Sequence, residues 1–200
     1  AQMSSDVRVF DNLSNYIAYN QSVSDVLSGN YTGGRYELYE QYRKTVDPIL
    51  TSPTYFSPGI TKLTIYVDQD IPAHGDSVAP LSEVKDEGWY KDNAKSFGGV
   101  STWIVDRKTR KVRSVRTMPL MEQNGVNAIL YLEIDYDTFF DEFGEICQKG
   151  QGLYIFDGSG NTVYSAGDTR RLLDSQAYSH KDSYKGNLII RRKISTTGMQ

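Results

Sequence analysis

The chain has 200 residues, with 22 Lys and Arg against 25 Asp and Glu, a net charge of −3 and a hydrophobic share of 38%. That size suits one large domain or two small ones around a buried core. The charge balance speaks against a phosphate-neutralising nucleic-acid surface, and the single Cys147 excludes an internal disulfide or a thiolate metal cluster.

The two histidines, His74 and His180, lie far apart in polar segments, so neither a metal nor a cofactor is expected. There is no run of about eighteen apolar residues and no secretory leader. The chain begins inside a helical pattern and stops in an unfinished one, ISTTGMQ. It reads as a segment trimmed at both ends; were the parent a membrane receptor, its spanning helices would lie outside the segment. Fifteen Tyr against seven Phe suit half-exposed sheets and polar pockets, and equally a wet surface.

In chain order, the first predicted element is a long helix over Ser4–Ser28. Val9, Leu13, Tyr16, Asn20, Val23 and Leu27 recur at alternating spacings of four and three, a heptad seam with one polar interruption. Phe10, Ile17 and Val26 widen the stripe. The helix therefore fits both a stalk pairing with a second subunit and a core helix packed on its own sheet. Ser4, Ser5 and Asp6 supply capping chemistry at its start, and Gly29, Gly33 and Gly34 end it. A second helix is expected over Arg35–Leu50, with Leu38, Tyr42, Val46 and Ile49 inward and Pro48 distorting its last turn. Pro53 and Pro58 mark a loop.

Strands begin at Ile60, where Leu63, Ile65 and Val67 alternate with Lys62, Thr64 and Tyr66. A long polar segment, Ala73–Lys85, has no strong periodicity. Gly88-Trp89-Tyr90 opens a short helix or a loop over the sheet. An antiparallel meander follows: Ser101–Arg107, a turn at Lys108–Arg110, Val112–Met118, a hairpin signal at Asn124-Gly125, and Asn127–Asp135. A helix over Asp137–Cys147 leaves the sheet, capped by Asp137 or Thr138, with Phe139, Phe140 and Phe143 facing inward. Leu153–Ala166 then reads strand, turn, strand, the turn being Asp157-Gly158-Ser159-Gly160-Asn161. A short helix over Asp168–Tyr178 and a last strand over Asn187–Ile194 complete the reading.

Candidate site residues come from three places. Trp89 and Tyr90 are adjacent large rings after a polar loop; they either wall a ligand pocket or pack as a lid on the sheet edge. Asp135 ends a strand and either holds a ligand ammonium or carries charge to a helix start. The basic run DRKTRKVRSVR is expected at an exposed hairpin tip. Within it Arg113 and Arg116 project to opposite faces, because their spacing is odd. Arg116 shares a face with Val112 and Met118 and is the expected pocket residue, with Trp103 lining the same cavity. Asp135, Asp137, Asp141 and Glu142 invite a glycoside hydrolase reading, which needs two carboxylates facing across a cleft about 5–9 Å wide. Four acids in one strand-to-helix junction do not supply that.

The order of parts carries a resemblance. A long helix, ITKLTIYVDQ, a GWY element, the meander, IDYDTFFDEF and YIFDGSGNTVYSA together resemble the double-Cache, PAS-like extracellular sensor domains of bacterial transmembrane sensor histidine kinases. The resemblance implies an α+β fold with a long N-terminal helix and loop (1–35), a membrane-distal antiparallel-sheet module (36–148) and a smaller membrane-proximal one (149–200). It implies a small-molecule ligand in the distal module, contacted by Trp89, Tyr90, Trp103, Arg116 and Asp135, on the extracellular face of the cell membrane. A homodimer through the N-terminal helix and a kinase output in the parent protein follow from it, with no enzyme activity, nucleic acid, metal or cofactor in this segment. A chemoreceptor with the same sensor fold and a secreted carbohydrate-active enzyme are the alternatives. The amino-acid-binding subset of the family has Arg two positions before the Trp-Tyr pair and a later Asp; here Trp89, Tyr90 and Asp135 match, but the Arg position is Glu87. The carboxylate clamp is therefore lost, which speaks against an amino acid and for a sugar, oligosaccharide or peptide, the ligand class staying open among amino acid, sugar and organic acid.

Overall fold

A computed structural model describes residues 3–29, 34–57, 59–145, 147, 149–168, 183–184 and 187–188. The fold is α+β and PAS-like. A five-stranded sheet runs in the order β2 (Val78–Pro80), β1 (Ile60–Val67), β5 (Ala128–Asp135), β4 (Lys111–Thr117), β3 (Thr102–Asp106), and a smaller two-stranded hairpin follows it in the chain.

The N-terminal stretch forms two helices, α1 (Met3–Ala18) and α2 (Gln21–Ser28), rather than the single expected one. The Asn20 side chain is the reason. It accepts from Val23 N–H and N-caps α2, with extended backbone angles that end α1. A polar residue in a heptad seam here serves a local hydrogen bond. The seam consequently does not stay on one face: Val23 and Leu27 are buried, whereas Val9 and Tyr16 are 55% and 60% exposed.

The second helical stretch runs on to Phe56, as α3 (Arg35–Gln41), a π-helical turn (Tyr42–Val46) and α4 (Asp47–Phe56). Pro48 starts α4 rather than distorting a last turn. Proline has no N–H for the carbonyl four residues back, and the chain widens just before it, where Asp47 N–H reaches Tyr42 O. Pro53, expected in a loop, lies inside α4.

β1 (Ile60–Val67) pairs antiparallel with β5 (Ala128–Asp135), and β5 with β4 (Lys111–Thr117), which pairs with β3 (Thr102–Asp106). The sheet is mixed, not purely antiparallel, because β2 (Val78–Pro80) adds to β1 in parallel. A three-residue strand inside a polar segment leaves no periodicity to read. Asn124-Gly125 is not a hairpin turn either: α6 (Pro119–Gln123) intervenes between β4 and β5, and Gly125 at φ 76° ends it.

Alternation divides the sheet into two faces. Leu63, Ile65 and Val67 on β1, Leu130, Leu132 and Ile134 on β5, and Val112 on β4 pack under α1–α4 in the main core. Tyr66, Val115, Ile129 and Tyr131 form a second cluster on the other face. α7 (Tyr136–Glu145) follows β5 directly, with Phe139, Phe140 and Phe143 buried as expected. The hairpin β6 (Gly152–Phe156) and β7 (Thr162–Gly167) docks on α7. Tyr164 stacks on Phe140 at 4.6 Å between centroids, and the Tyr136 hydroxyl donates to Val163 O at 2.6 Å. Asp157 ties the turn, accepting from the N–H groups of Ser159 and Asn161. β8 (Ser183–Tyr184) pairs with β9 (Asn187–Leu188). The expected helix over Asp168–Tyr178 lies almost wholly outside the described residues, as does the expected strand beyond Leu188.

Asn20→Ala should cost about 1 kcal/mol in urea unfolding, while Asn20→Asp stays within about 0.5 kcal/mol of the parent. Equal stability of Asn20→Ala and the parent would show that the cap does not set the break between α1 and α2.

Candidate functional site

Three elements build one polar, aromatic-roofed region on the sheet face away from α1. β4 and β5 bring Arg113, Tyr131 and Glu133 onto that face by period-two alternation; Arg113 and Glu133 are register partners. α5 (Gly88–Asn93) brings Trp89 and Tyr90 over them. The Trp89 ring lies 4.8 Å from that of Tyr131, and Phe97 packs against both Trp89 (6.3 Å) and Tyr90 (5.8 Å). Tyr66 meets Tyr131 edge-on at 5.8 Å. In this arrangement the lid rests directly on the sheet.

Beneath it the polar groups are paired. Arg113 Nε donates to the Tyr131 hydroxyl at 3.0 Å, and that hydroxyl donates to Glu133 Oε2 at 2.5 Å. The direction follows from chemistry: a guanidinium only donates and a carboxylate only accepts. Arg113 also lies 3.7 Å from Asp106 and from Glu133, while Lys111 Nζ sits 3.0 Å from Glu133. Burial and then the neighbouring carboxylate push the Tyr131 hydroxyl well above its ordinary pKa, so it remains a donor. Burial pushes the Glu133 carboxyl up as well, but hydrogen bonds from Tyr131, Lys111 and Thr61 outweigh it and hold the group below the ordinary range. Asp106 is held low by its hydrogen bond from Thr109, against a smaller opposing push from burial.

The five residues expected from sequence do not share one pocket. Trp89 and Tyr90 form the lid. Trp103 and Arg116 point to the opposite face: Trp103 packs 5.5 Å from Phe139 and its Nε1 donates to Asp11, while Arg116 Nη1 donates to Asn15 of α1. Asp135 caps α7, accepting from Thr138 N–H at 2.8 Å and Thr138 Oγ1 at 2.9 Å. It lies four strand residues from Tyr131, roughly 13 Å at the usual rise. The parity of Arg113 and Arg116 was readable. Which face the lid would cover was not, because the long Asp68–Glu87 connection sets it. Tyr131 and Glu133 are the residues that the sequence did not single out, and of the two arginines Arg113, not the expected Arg116, lies under the lid. The signal available for them was the charged and hydroxyl side chains on one parity of otherwise apolar strands.

Asp137 pairs with Arg110, whose guanidinium lies over the Tyr136 ring. Two of the four acids considered for glycoside hydrolysis thus serve helix α7 and its neighbour. Two cavities open elsewhere. One of about 390 Å³ lies between α4 and the edge of β1, beside the His74–Asp47 pair (2.9 Å). The other, of about 320 Å³, lies against α7 and Tyr164. Neither is lined by Trp89 or Tyr90. Among the described residues, no group of three or more His, Cys, Asp or Glu is placed to hold a metal ion. Among them also, no helix is long and apolar enough to cross a membrane.

No protein-family model and no curated protein sequence matches the chain. Among solved structures the fold is similar to one described as "the extracellular domain of the putative histidine kinase mmHK1S-Z3". The TM-score is 0.51 at 14% sequence identity, over 90% of this chain and 72% of that one. The likeness is one of fold.

Glu133 and Asp106 have pKa values below those of the unfolded chain, so their stabilisation is complete above about pH 4.5 and is lost as pH falls through the lower folded-state values. Glu133→Gln removes one of these shares. It should cost about 2 kcal/mol at pH 7, and urea midpoints should then fall less steeply than in the parent between about pH 4.5 and pH 3. Parallel profiles for the two proteins would refute the assignment of Glu133 as an ionised, buried acceptor.

Proposed function

We propose that this chain is the extracytoplasmic sensing domain of a two-component sensor histidine kinase, of the double-Cache type. In this reading it binds a small polar molecule between the Trp89–Tyr90 lid and the Arg113–Tyr131–Glu133 floor. The likeness in fold to a domain described as extracellular and kinase-borne supports the class. The observation that carries the site is the contrast between lid and floor. α5 has six residues and buries none of them, whereas Arg113, Tyr131 and Glu133 beneath it are only 7%, 4% and 6% exposed.

That contrast suits binding. A short helix with little buried surface opens at low cost relative to the sheet. The floor offers a guanidinium, a phenol and a carboxylate already fixed by mutual hydrogen bonds, so a guest pays little to order them. Trp and Tyr present flat, weakly entropic contact area from above. A guest that exchanges hydrogen bonds with Arg113 and Glu133 while stacking under Trp89 is a small amino acid, sugar or organic acid. Ligand binding shifts the domain between arrangements only by its difference in affinity for them. The change would pass through the N-terminal helices to a flanking membrane helix and a kinase core in the parent protein.

A thermal-shift screen of amino acids, sugars and organic acids tests this. At about a hundredfold excess over Kd a true ligand adds about 2.7 kcal/mol, roughly 5–10 °C in a domain of this size. Trp89→Ala should lose that shift, and Asp135→Ala should keep it at a lower starting Tm. A shift that survives Trp89→Ala removes the site, and a full-length gene product without membrane spans around this segment and a kinase core removes the class.

A further inference from the structure

β4 carries a second buried guanidinium, and the floor described above does not use it. Arg116 is 2% exposed and lies on the face toward α1. One arm, Nη1, donates to Asn15 Oδ1 in the last turn of α1; the other, Nη2, donates to the Gly99 carbonyl. Its guanidinium also lies 5.4 Å from the ring of Tyr19, at the break between α1 and α2. Nε has no partner in the structure, and burial lowers the pKa of the group.

Gly99 stands two residues from Phe97, and Phe97 packs against both lid rings. The intervening Gly98 carbonyl accepts from Thr117 N–H at 2.8 Å, next to Arg116 on β4. A Cβ built on Gly99 would come within 3.5 Å of the Tyr19 hydroxyl. The Phe97–Gly99 segment therefore joins the lid cluster on one face to the end of α1 on the other. Arg116 is the side chain that ties the Gly99 end of this segment to the end of α1.

This part of the α1 interface mixes apolar burial, with Ile17 and Ala18 fully buried, with further polar contacts. Trp103 Nε1 donates to Asp11 at 3.3 Å, and the Ser101 hydroxyl lies 3.5 Å from that of Ser14. Directional bonds of this kind have discrete alternatives, unlike continuous apolar packing, and a few of them can bias an element between two positions.

We propose that Arg116 is a positioning residue that couples the Trp89–Tyr90 lid to the C-terminal turn of α1 through the Phe97–Gly99 segment. It takes from the proposed function only that the lid moves when its site is filled. When the lid lifts, Phe97 loses its packing, the Gly99 carbonyl is freed, and Arg116 no longer holds Asn15 and Tyr19 in register. A planar, two-armed donor is needed for this; a lysine supplies the charge but not the fork.

A double-mutant cycle read by amide hydrogen exchange tests the coupling without any ligand. The reporters are the Tyr19 and Asn20 amides, bonded to Asn15 O and Ile17 O at 3.1 Å each, referred to the amides of Leu130 and Leu132 in the central strand. Trp89→Ala should speed exchange at the reporters on the order of tenfold relative to the references, a typical coupling. In the Arg116→Lys background the same lid change should add nothing, and Asn15→Ala, a change at an exposed position, should abolish the effect likewise. Equal acceleration by Trp89→Ala in the parent and in the Asn15→Ala background would overturn the proposal. So would no acceleration in the parent. The cycle uses no added compound, so a failed ligand screen beside an intact cycle removes the sensing site and leaves the coupling.

Discussion

A guanidinium taken out of water must be met by acceptors, and β4 buries two, three residues apart on opposite faces of the sheet. Much of the molecule answers that demand. On one face, β5 places Tyr131 and Glu133 and β3 places Asp106 around Arg113. On the other, α1 brings Asn15, the break after it brings Tyr19, and the segment before β3 brings the Gly99 carbonyl, to Arg116. Hydrophobic transfer explains why the sheet is covered on both sides, with Leu130, Leu132 and Ile134 inside one cluster and Ile129 and Tyr131 inside the other. It does not explain register. The two arginines do, because slipping β4 by one residue would aim each into the wrong layer.

The hairpin β6–β7 is attached by a different physics. Its contact with α7 is aromatic: Tyr164 stacks on Phe140 with an angle of 10° between the rings, and Tyr136 lies 4.7 Å from Phe140. Such contacts contribute about 0.5–1.5 kcal/mol beyond area burial. Ile155 and Val163 extend the main core into the hairpin. α7 is thus shared. It is fixed to β5 through the Asp135 cap at its start and through Phe139 and Phe140 along its length, and it carries the second sheet on the same aromatic stripe.

What could be read from the sequence follows the range of the interaction responsible. β1 and β5 were legible because alternation over eight residues is a local pattern, and α7 was legible because three phenylalanines mark one helical face. β2 was not, since three residues carry no period and its place depends on a strand it meets only after a ten-residue excursion. Asn20 was visible as a polar break in an apolar seam, yet a seam and a cap predict different helices. The hydrogen bond to Val23 N–H decides for the cap. At the site, Trp89 and Tyr90 stood out as large rings, and Arg113 and Arg116 stood out as a pair of opposite parity. Assigning the rings to the Arg113 face requires the path of the chain from Asp68 to Glu87, which no local signal supplies. Asp135 shows the same limit at shorter range. Both it and Asp137 stand at the helix start, and only the backbone geometry selects Asp135 as the cap and leaves Asp137 for Arg110.

Stability is distributed unevenly in a way that bears on function. The central strands β1, β4 and β5 bury nearly every residue, whereas α5 buries none. Opening free energies follow buried contact, so the lid belongs to the low end of the range and the strands to the high end. The charged floor belongs to the rigid part: three of its groups are fixed by bonds to one another, and moving any of them strands a buried partner at a cost of several kcal/mol. A soft roof over a stiff, polar floor confines motion to the roof. Whatever lifts Trp89 and Tyr90 is then passed along the chain that leaves the lid toward β3, through Phe97 and the two glycines, to the strand edge where hydrogen bonds to Asp11, Ser14 and Asn15 add to the apolar burial of Ile17 and Ala18 in holding α1.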